Sequence, residues 1–598
     1  MNRLMIALIG TVLSVSCSQQ NPEAVAEAQT FLDDYTARVL ELSYASAQAE
    51  WQSNTTIIEG DTTNAARTNR ANEAFAAFTG SVANIEQARQ LLARKKQLKP
   101  LQVKQLEAVL YAAADNPATV AELVKERIAA ETAQTEQLYG YDFKIDGKSV
   151  TTNEIDEILI TSTDLEERLK AWEASKEVGK GLKAGLANLV RLRNATVQDL
   201  GYANYFQYQV SDYGMTVAEM IAMMDRFNED LRPLYRELHT WARYTLAERY
   251  HQPVPDLLPA HWLPNRWGQG WEEMITVAGL DLDGALAGKS PEWLVKQAER
   301  FYVSLGYPEL PKTFWERSSL YPLEPGASYK KNNHASAWHL DLESDLRSLM
   351  SVENNTRWYG TTHHELGHIY YFMAYTSEQV PPLLRGGANR GFHEAVGTLM
   401  QNAAIQKPFV AGIGLVTGDV EVDPIQVLLK EALDAVVFIP FSTGLMTHFE
   451  WELYEQPLDI DEYNERWWAL KAKYQGIAPP SPRGEEYADA TSKTHINNDA
   501  AQYYDYAISN VLVAQFHDHI SRNILGQDPH ATNYFGSKGV GDFLWSIMET
   551  GSTGDWRELL RETTGEDLST RAMLDYFAPL MDWLKEQNAG REHTLEEL

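Results

Sequence analysis

With 598 residues, 44% of them hydrophobic and 23% charged, the chain has the apolar content to bury a large core, and no long stretch has the composition of a disordered segment. Its formal charge of -31 would repel a phosphate backbone, which argues against a nucleic-acid partner and leaves cationic or zwitterionic peptides compatible. No Gly/Ser linker, low-complexity tract or internal repeat interrupts the sequence, so residues 21–598 read as one large domain.

Met1 to Gln20 carries one early cation, Arg3, and then the apolar run Leu4 to Val15. That run is too short to span a bilayer and has the form of a signal-peptide core. Cys17, the only cysteine, follows directly, and its placement resembles a bacterial lipoprotein cleavage site, with Ser14 departing from the usual aliphatic residue. Residues 1–16 are therefore expected to be a signal peptide and Cys17 a lipidated N-terminus. The exported protein would be periplasmic or in the cell envelope and touch the membrane only through that anchor; ordinary secretion is the other reading. A lone cysteine leaves no internal disulfide.

Apolar positions at three-to-four spacing predict helices over Pro22 to Tyr44, Ala65 to Arg94, Ala118 to Leu138, Thr163 to Val197, Thr216 to Arg249 and Ser290 to Leu305. Thr163, Asp164, Leu165 and Glu166 read as a capping box. Sheet-like alternation is confined mainly to Tyr329 to Leu342. The fold class is mainly α, a large helical domain with a minor β-sheet surrounding a deep central cleft that suits short, flexible substrates.

Within Thr361 to Tyr371, His364, Glu365, Leu366, Gly367 and His368 form H-E-x-x-H. On a helix the two histidines share one face, so both imidazoles reach one metal ion while Glu365 sits beside it to handle a water. Trp358, Ile369, Phe372 and Met373 supply an apolar face that would pack this helix. Downstream, Glu394 stands in the otherwise apolar helical start Gly391 to Gly397, where an unpaired carboxylate would be costly, which makes it the best third ligand. Two imidazoles and one carboxylate leave a fourth position for water, the composition of a catalytic zinc site.

Further strings around this motif resemble the peptidyl-dipeptidase A family, that of angiotensin-converting enzyme: HASAW at His334 to Trp338, HHELGH at His363 to His368, and GAN followed by GFHEAVG at Gly387 to Gly397. WW with KYQG at Trp467 to Gly476, SKTHI at Ser492 to Ile496 and YFAPLMDWLKEQN at Tyr576 to Asn588 continue the likeness in the same order. The resemblance implies a bacterial zinc metallopeptidase with one Zn2+ held by His364, His368 and Glu394, and Glu365 as the general base for zinc-bound water. It implies His495 and Tyr506 as donors to the oxyanion, and His334 and Ala335 as contacts to an extended substrate peptide. Gln269, Lys493 and Tyr503 would hold the C-terminal carboxylate of an oligopeptide so that a dipeptide is released. The family's monocarboxypeptidase branch has arginine where Gln269 stands.

Departures from the family pattern are also legible. Asn333 replaces a disulfide cysteine, Thr398 a carboxylate four residues after Glu394, and Gly386 an acidic subsite residue. Thr376 to Leu384 holds a two-residue excess, implying a surface-loop insertion. Asp505 replaces an arginine that binds chloride, and Lys471 replaces a second one, so chloride activation is expected to be weak or absent. The alternatives are a related helical zinc oligopeptidase or monocarboxypeptidase and, from another class, a catalytically inactive peptide-binding protein on the same fold.

Overall fold

The computed structural model describes residues 20–58, 62–324, 326–332, 334–418, 420–455 and 458–598. The expectations for the signal peptide, Cys17 and Asn333 lie outside these residues.

Helices dominate, and their ends follow local chemistry. Asn21 accepts hydrogen bonds from the Glu23 and Ala24 N–H groups at the start of Pro22–Thr55, a helix that continues past the predicted end, where Ala49 is buried and Trp51 packs separately with Leu340 and Leu349. The run predicted as one helix over Ala65 to Arg94 is two. Gly80 ends Thr63–Thr79, and Ser81 caps Val82–Leu92 by accepting from the Asn84 N–H. The segment predicted from Ala118 starts as a tight turn, Ala118–Val120, before the helix Ala121–Tyr139.

The capping box expected at Thr163 does not form. Asp164 itself is the cap of Leu165–Gln198 and accepts from the Glu166 and Glu167 N–H groups. A carboxylate meets two unpaired donors and the positive end of the helix at once, which leaves Thr163 outside. Reciprocal boxes do occur at Thr151 with Glu154 and at Thr216 with Glu219.

Among the described residues three two-stranded sheets stand where one minor sheet was expected. Ser336–His339 pairs antiparallel with Leu346–Leu349, in the register Ser336 to Leu349 and His339 to Leu346. The other two are the hairpin Phe143–Ile145 with Lys148–Val150 and a short parallel pairing of Leu258–Pro259 with Ile477–Ala478.

One hydrophobic core runs from Ala114 to Leu595 and contains the helix Thr356–Tyr375, whose Tyr359, Leu366, Ile369 and Tyr370 have no exposed surface. A second, smaller core gathers Phe31, Leu32, Leu91, Leu106 and Val109 from the N-terminal helices, with Leu383 packed against it. Burial of each large apolar side chain is worth about 1.5–3 kcal/mol, so the motif helix is anchored by its surroundings. No helix among the described residues is long and apolar enough to cross a membrane.

Candidate active site

Two helices build the metal-ligating end. Thr356–Tyr375 starts at Asn355, whose side chain accepts from the Trp358 N–H, and Arg390–Ile405 starts at Asn389, which accepts from the Phe392 N–H. They touch at glycines. A Cβ on Gly367 would lie 2.8 Å from the Gly397 Cα, and one on Gly397 would lie 2.9 Å from the His364 Nδ1. Only residues without side chains permit this approach, and it carries Glu394 to the face where the two histidines point.

The nitrogen and oxygen ligand atoms of His364, His368 and Glu394 lie within 4.8 Å of one another. The two Nε2 atoms face each other at 3.0 Å, and Glu394 Oε2 is 3.6 Å from His364 Nε2. Burial lowers both imidazoles to about 4, and at His364 the neighbouring His368 lowers it further while Glu394 opposes the shift. Two neutral imidazoles and a carboxylate converging on one point are the donors of a divalent cation, and a set of two nitrogens and one oxygen fits zinc with an open position. Glu365 is buried beside them, its Oε2 without a partner. Burial first, then the charge of Glu394, pushes its carboxyl up to about 8.

Sequence reasoning missed His393. Its Nδ1 lies 2.7 Å from the Nδ1 of His368, and its ring stacks on Tyr371 at 4.3 Å. For His368 to offer a lone pair at Nε2, its Nδ1 carries the proton and donates to His393, so this contact selects the ligating tautomer. It stands in a site where Thr398, at the position of the expected carboxylate, is half-buried. The adjacency of His393 to Glu394 was the available signal.

A cavity of about 900 Å³ opens over these ligands. Gln269, His334, Lys493, His495, Tyr503 and Tyr506 line it together with His364, Glu365, His368 and Glu394. His495 Nε2 is 3.3 Å from the Tyr506 hydroxyl, and burial keeps the imidazole neutral, down to about 4. Tyr506 is pushed up to about 12 and Tyr503 well above its ordinary value, both by burial, so both phenols remain donors at neutral pH. Lys493 donates to Gln269 Oε1 at 2.6 Å, sits over the rings of Trp267, Phe441 and Tyr503, and is pulled down to about 7 by burial and by Arg266.

Ser336–His339 presents its free edge nearby. His334, Ser336 and Ala337 reach the cavity, whereas Ala335 packs half-buried against the core. The Thr376 to Leu384 segment is more than a surface insertion. Val380 and Leu384 are buried, Leu383 lines the cavity, and Arg385 ties the segment down through the Ser377, Val380 and Leu342 carbonyls. A Cβ on Gly386 would meet nothing within 4 Å, so the subsite there is open.

A sequence profile described as angiotensin-converting enzyme matches residues 22–595. This chain belongs to the angiotensin-converting enzyme family. Angiotensin-converting enzyme of Mesocricetus auratus is 30% identical over 593 residues, covering 95% of this chain and 44% of that protein. The Bos taurus protein of the same name is 33% identical over 460 residues, 74% of this chain and 34% of its own length. The chain thus spans less than half the length of these relatives of the angiotensin-converting enzyme family.

Proposed function

We propose that this chain is a zinc peptidyl-dipeptidase that releases dipeptides from the C-terminus of oligopeptides. The observation that carries the reading is the coexistence, in one cavity, of the His364, His368, Glu394 triad with the Lys493–Gln269 pair. When bound, zinc would acidify a water and polarise the scissile carbonyl.

The other steps belong to side chains. Glu365, with an unpartnered Oε2 and a carboxyl whose ionised form the charge of a bound divalent cation would favour, takes the proton of the attacking water and returns it to the departing amine nitrogen. His495 and Tyr506 donate hydrogen bonds to the carbonyl oxygen as it becomes anionic, where donors lower the barrier most. The ammonium of Lys493, the Tyr503 hydroxyl and the Gln269 amide hold the substrate carboxylate. Because the Gln269 oxygen already accepts from Lys493, its NH2 group is left to donate. His334 and the backbone at Ala335 pair with the extended peptide along the free strand edge.

Mass spectrometry of products from a short peptide, with free or amidated C-terminus and with or without a chelator, tests this reading. Dipeptide release is expected only from the free acid and only without chelator; cleavage of the amidated peptide would favour an oligopeptidase, and single-residue release a monocarboxypeptidase. Gln269→Arg should move the cut toward single residues, since a longer cation holds the carboxylate closer to the metal. Undiminished dipeptide release by that variant would show that Gln269 does not set the register.

Residues 21–598 form the catalytic domain in this reading, preceded by a signal peptide and a lipid anchor at Cys17 that hold the protein in the cell envelope. Cys17→Ser should move it from the membrane fraction to the soluble one. Unchanged partitioning would mean ordinary secretion.

A further inference from the structure

We infer that Arg390 is a positioning residue that locks the oxyanion donors His495 and Tyr506 to the helix carrying the third metal ligand. The inference rests on the function proposed above and adds a residue to which sequence reasoning assigned no role.

Arg390 opens the helix Arg390–Ile405, one turn before Glu394. Its two terminal nitrogens form a bidentate pair with Asp499, Nη1 to Oδ1 at 3.0 Å and Nη2 to Oδ2 at 2.7 Å. Its Nε faces Asp505 Oδ2 at 3.4 Å. Asp499 terminates the short helix Thr494–Asn498, where its N–H donates to the His495 carbonyl at 3.1 Å. Asp505 lies in the first turn of Tyr504–His519, next to Tyr506. One guanidinium therefore ties its own helix to two further chain segments, and each of the three bears a side chain assigned to the reaction. A planar fork with donors on two edges suits this task; a lysine ammonium at the same place would be a single point charge.

The segment between the two aspartates needs such a tie. Ala501 has φ of +62°, a left-handed conformation that costs a residue with a Cβ roughly 1 kcal/mol. Its N–H is pinned by Glu450 Oε1 at 2.7 Å, and Gln502 donates to Asp499 Oδ1 at 3.2 Å. A turn held against its preference from both sides keeps His495 and Tyr506, on either flank, at the 3.3 Å separation between them.

Arg390→Gln, Arg390→Lys and Asp499→Asn, each assayed as the zinc-loaded full chain, test the clamp. Displacing donors by a fraction of an ångström to an ångström costs up to about 100-fold in rate, so kcat should fall roughly 10-fold to 100-fold with KM and zinc content little changed. Arg390→Lys should recover some of the loss. In a His495→Ala, Tyr506→Phe background, Arg390→Gln should cost less than about twofold more, because the donors it positions are already gone. Calorimetry with a phosphinic peptide, whose tetrahedral oxygen occupies the oxyanion position, provides a readout that needs no turnover. Its affinity should fall in parallel with kcat/KM while that of a product dipeptide stays constant. Wild-type turnover decides the proposed function, and phosphinate binding decides the clamp. A loss confined to KM, an undiminished phosphinate affinity, or a full further loss in the double-donor background would overturn the role assigned to Arg390. If Arg390→Gln fails to fold, Asp499→Asn gives the same comparison.

Discussion

The two ends of the cavity are held by different physics. At the ligating end, helices Thr356–Tyr375 and Arg390–Ile405 meet through glycines, flanked by stacked aromatics such as Tyr302 on Tyr370 at 4.4 Å and Tyr371 on His393 at 4.3 Å. At the donor end, His495 and Tyr506 sit on a short helix and a helix start, joined by a turn with a left-handed alanine and tied by Arg390, Asp499 and Glu450. Packing fixes distances that a metal requires to within tenths of an ångström. Ion pairs and hydrogen bonds fix directions, which the proposed oxyanion donors need as charge develops.

The comparison is broken most severely at Glu365, the general base of the proposed reaction. Glu365→Gln should lower turnover by about 100-fold to 10,000-fold, as loss of a general base does, while metal analysis shows zinc still bound. A variant keeping more than roughly a tenth of wild-type rate would remove Glu365 from that role.

The next largest effect is expected at Lys493, in the proposed carboxylate pocket. Burial lowers the Lys493 ammonium to about 7, so it is charged below that pH and loses its charge above it. Substrate KM should then rise as pH increases through about 7. Lys493→Met should raise KM roughly 10-fold to 100-fold at low pH, matching a lost charge-assisted hydrogen bond, and abolish the alkaline rise. A KM with the same pH dependence in the variant would assign it to another group.

Packing at the ligating end is tested by Gly397→Ala. The added methyl would meet the His364 ring at 2.9 Å, an overpacking worth about 1–3 kcal/mol. Thermal melting should show that loss, and chelator competition should show zinc held roughly tenfold less tightly. Unchanged zinc affinity would mean that the helices separate without moving His364.

The smallest effect concerns anions. Lys471 already donates to the Trp267 carbonyl at 2.6 Å and to Gln475 at 2.8 Å, and Asp505 faces Arg390 at 3.4 Å. With its cations satisfied internally, the donor end should change turnover by less than about twofold between sodium chloride and sodium acetate at matched ionic strength. A several-fold rise specific to chloride would locate an anion at Lys471 or elsewhere.

The ligating end was the more legible in sequence because its chemistry is local. His364 and His368 are neighbours on any helix, and Glu394 stands out as a charge among Phe392, Ala395 and Val396. His495 and Tyr506 carry no comparable pattern, and only their resemblance to family strings marked them. Arg390 was invisible because its partners lie 109 residues away, at Asp499, and nothing in a linear chain pairs them. The helix errors have the same origin. Periodicity runs through the Gly80 and Ser81 break, and it cannot decide between Thr163 and Asp164, where cap geometry does.

The contact between Gly367 and Gly397 also bears on how rigidly the ligands are held. Where side chains set the spacing between helices, rotamer changes let that spacing vary. Here an α-carbon rests on a position with no side chain to turn aside, so the gap between the helices has one value. The spacing of the ligating helices thus depends on two absent side chains, while the donor set depends on side chains that are present.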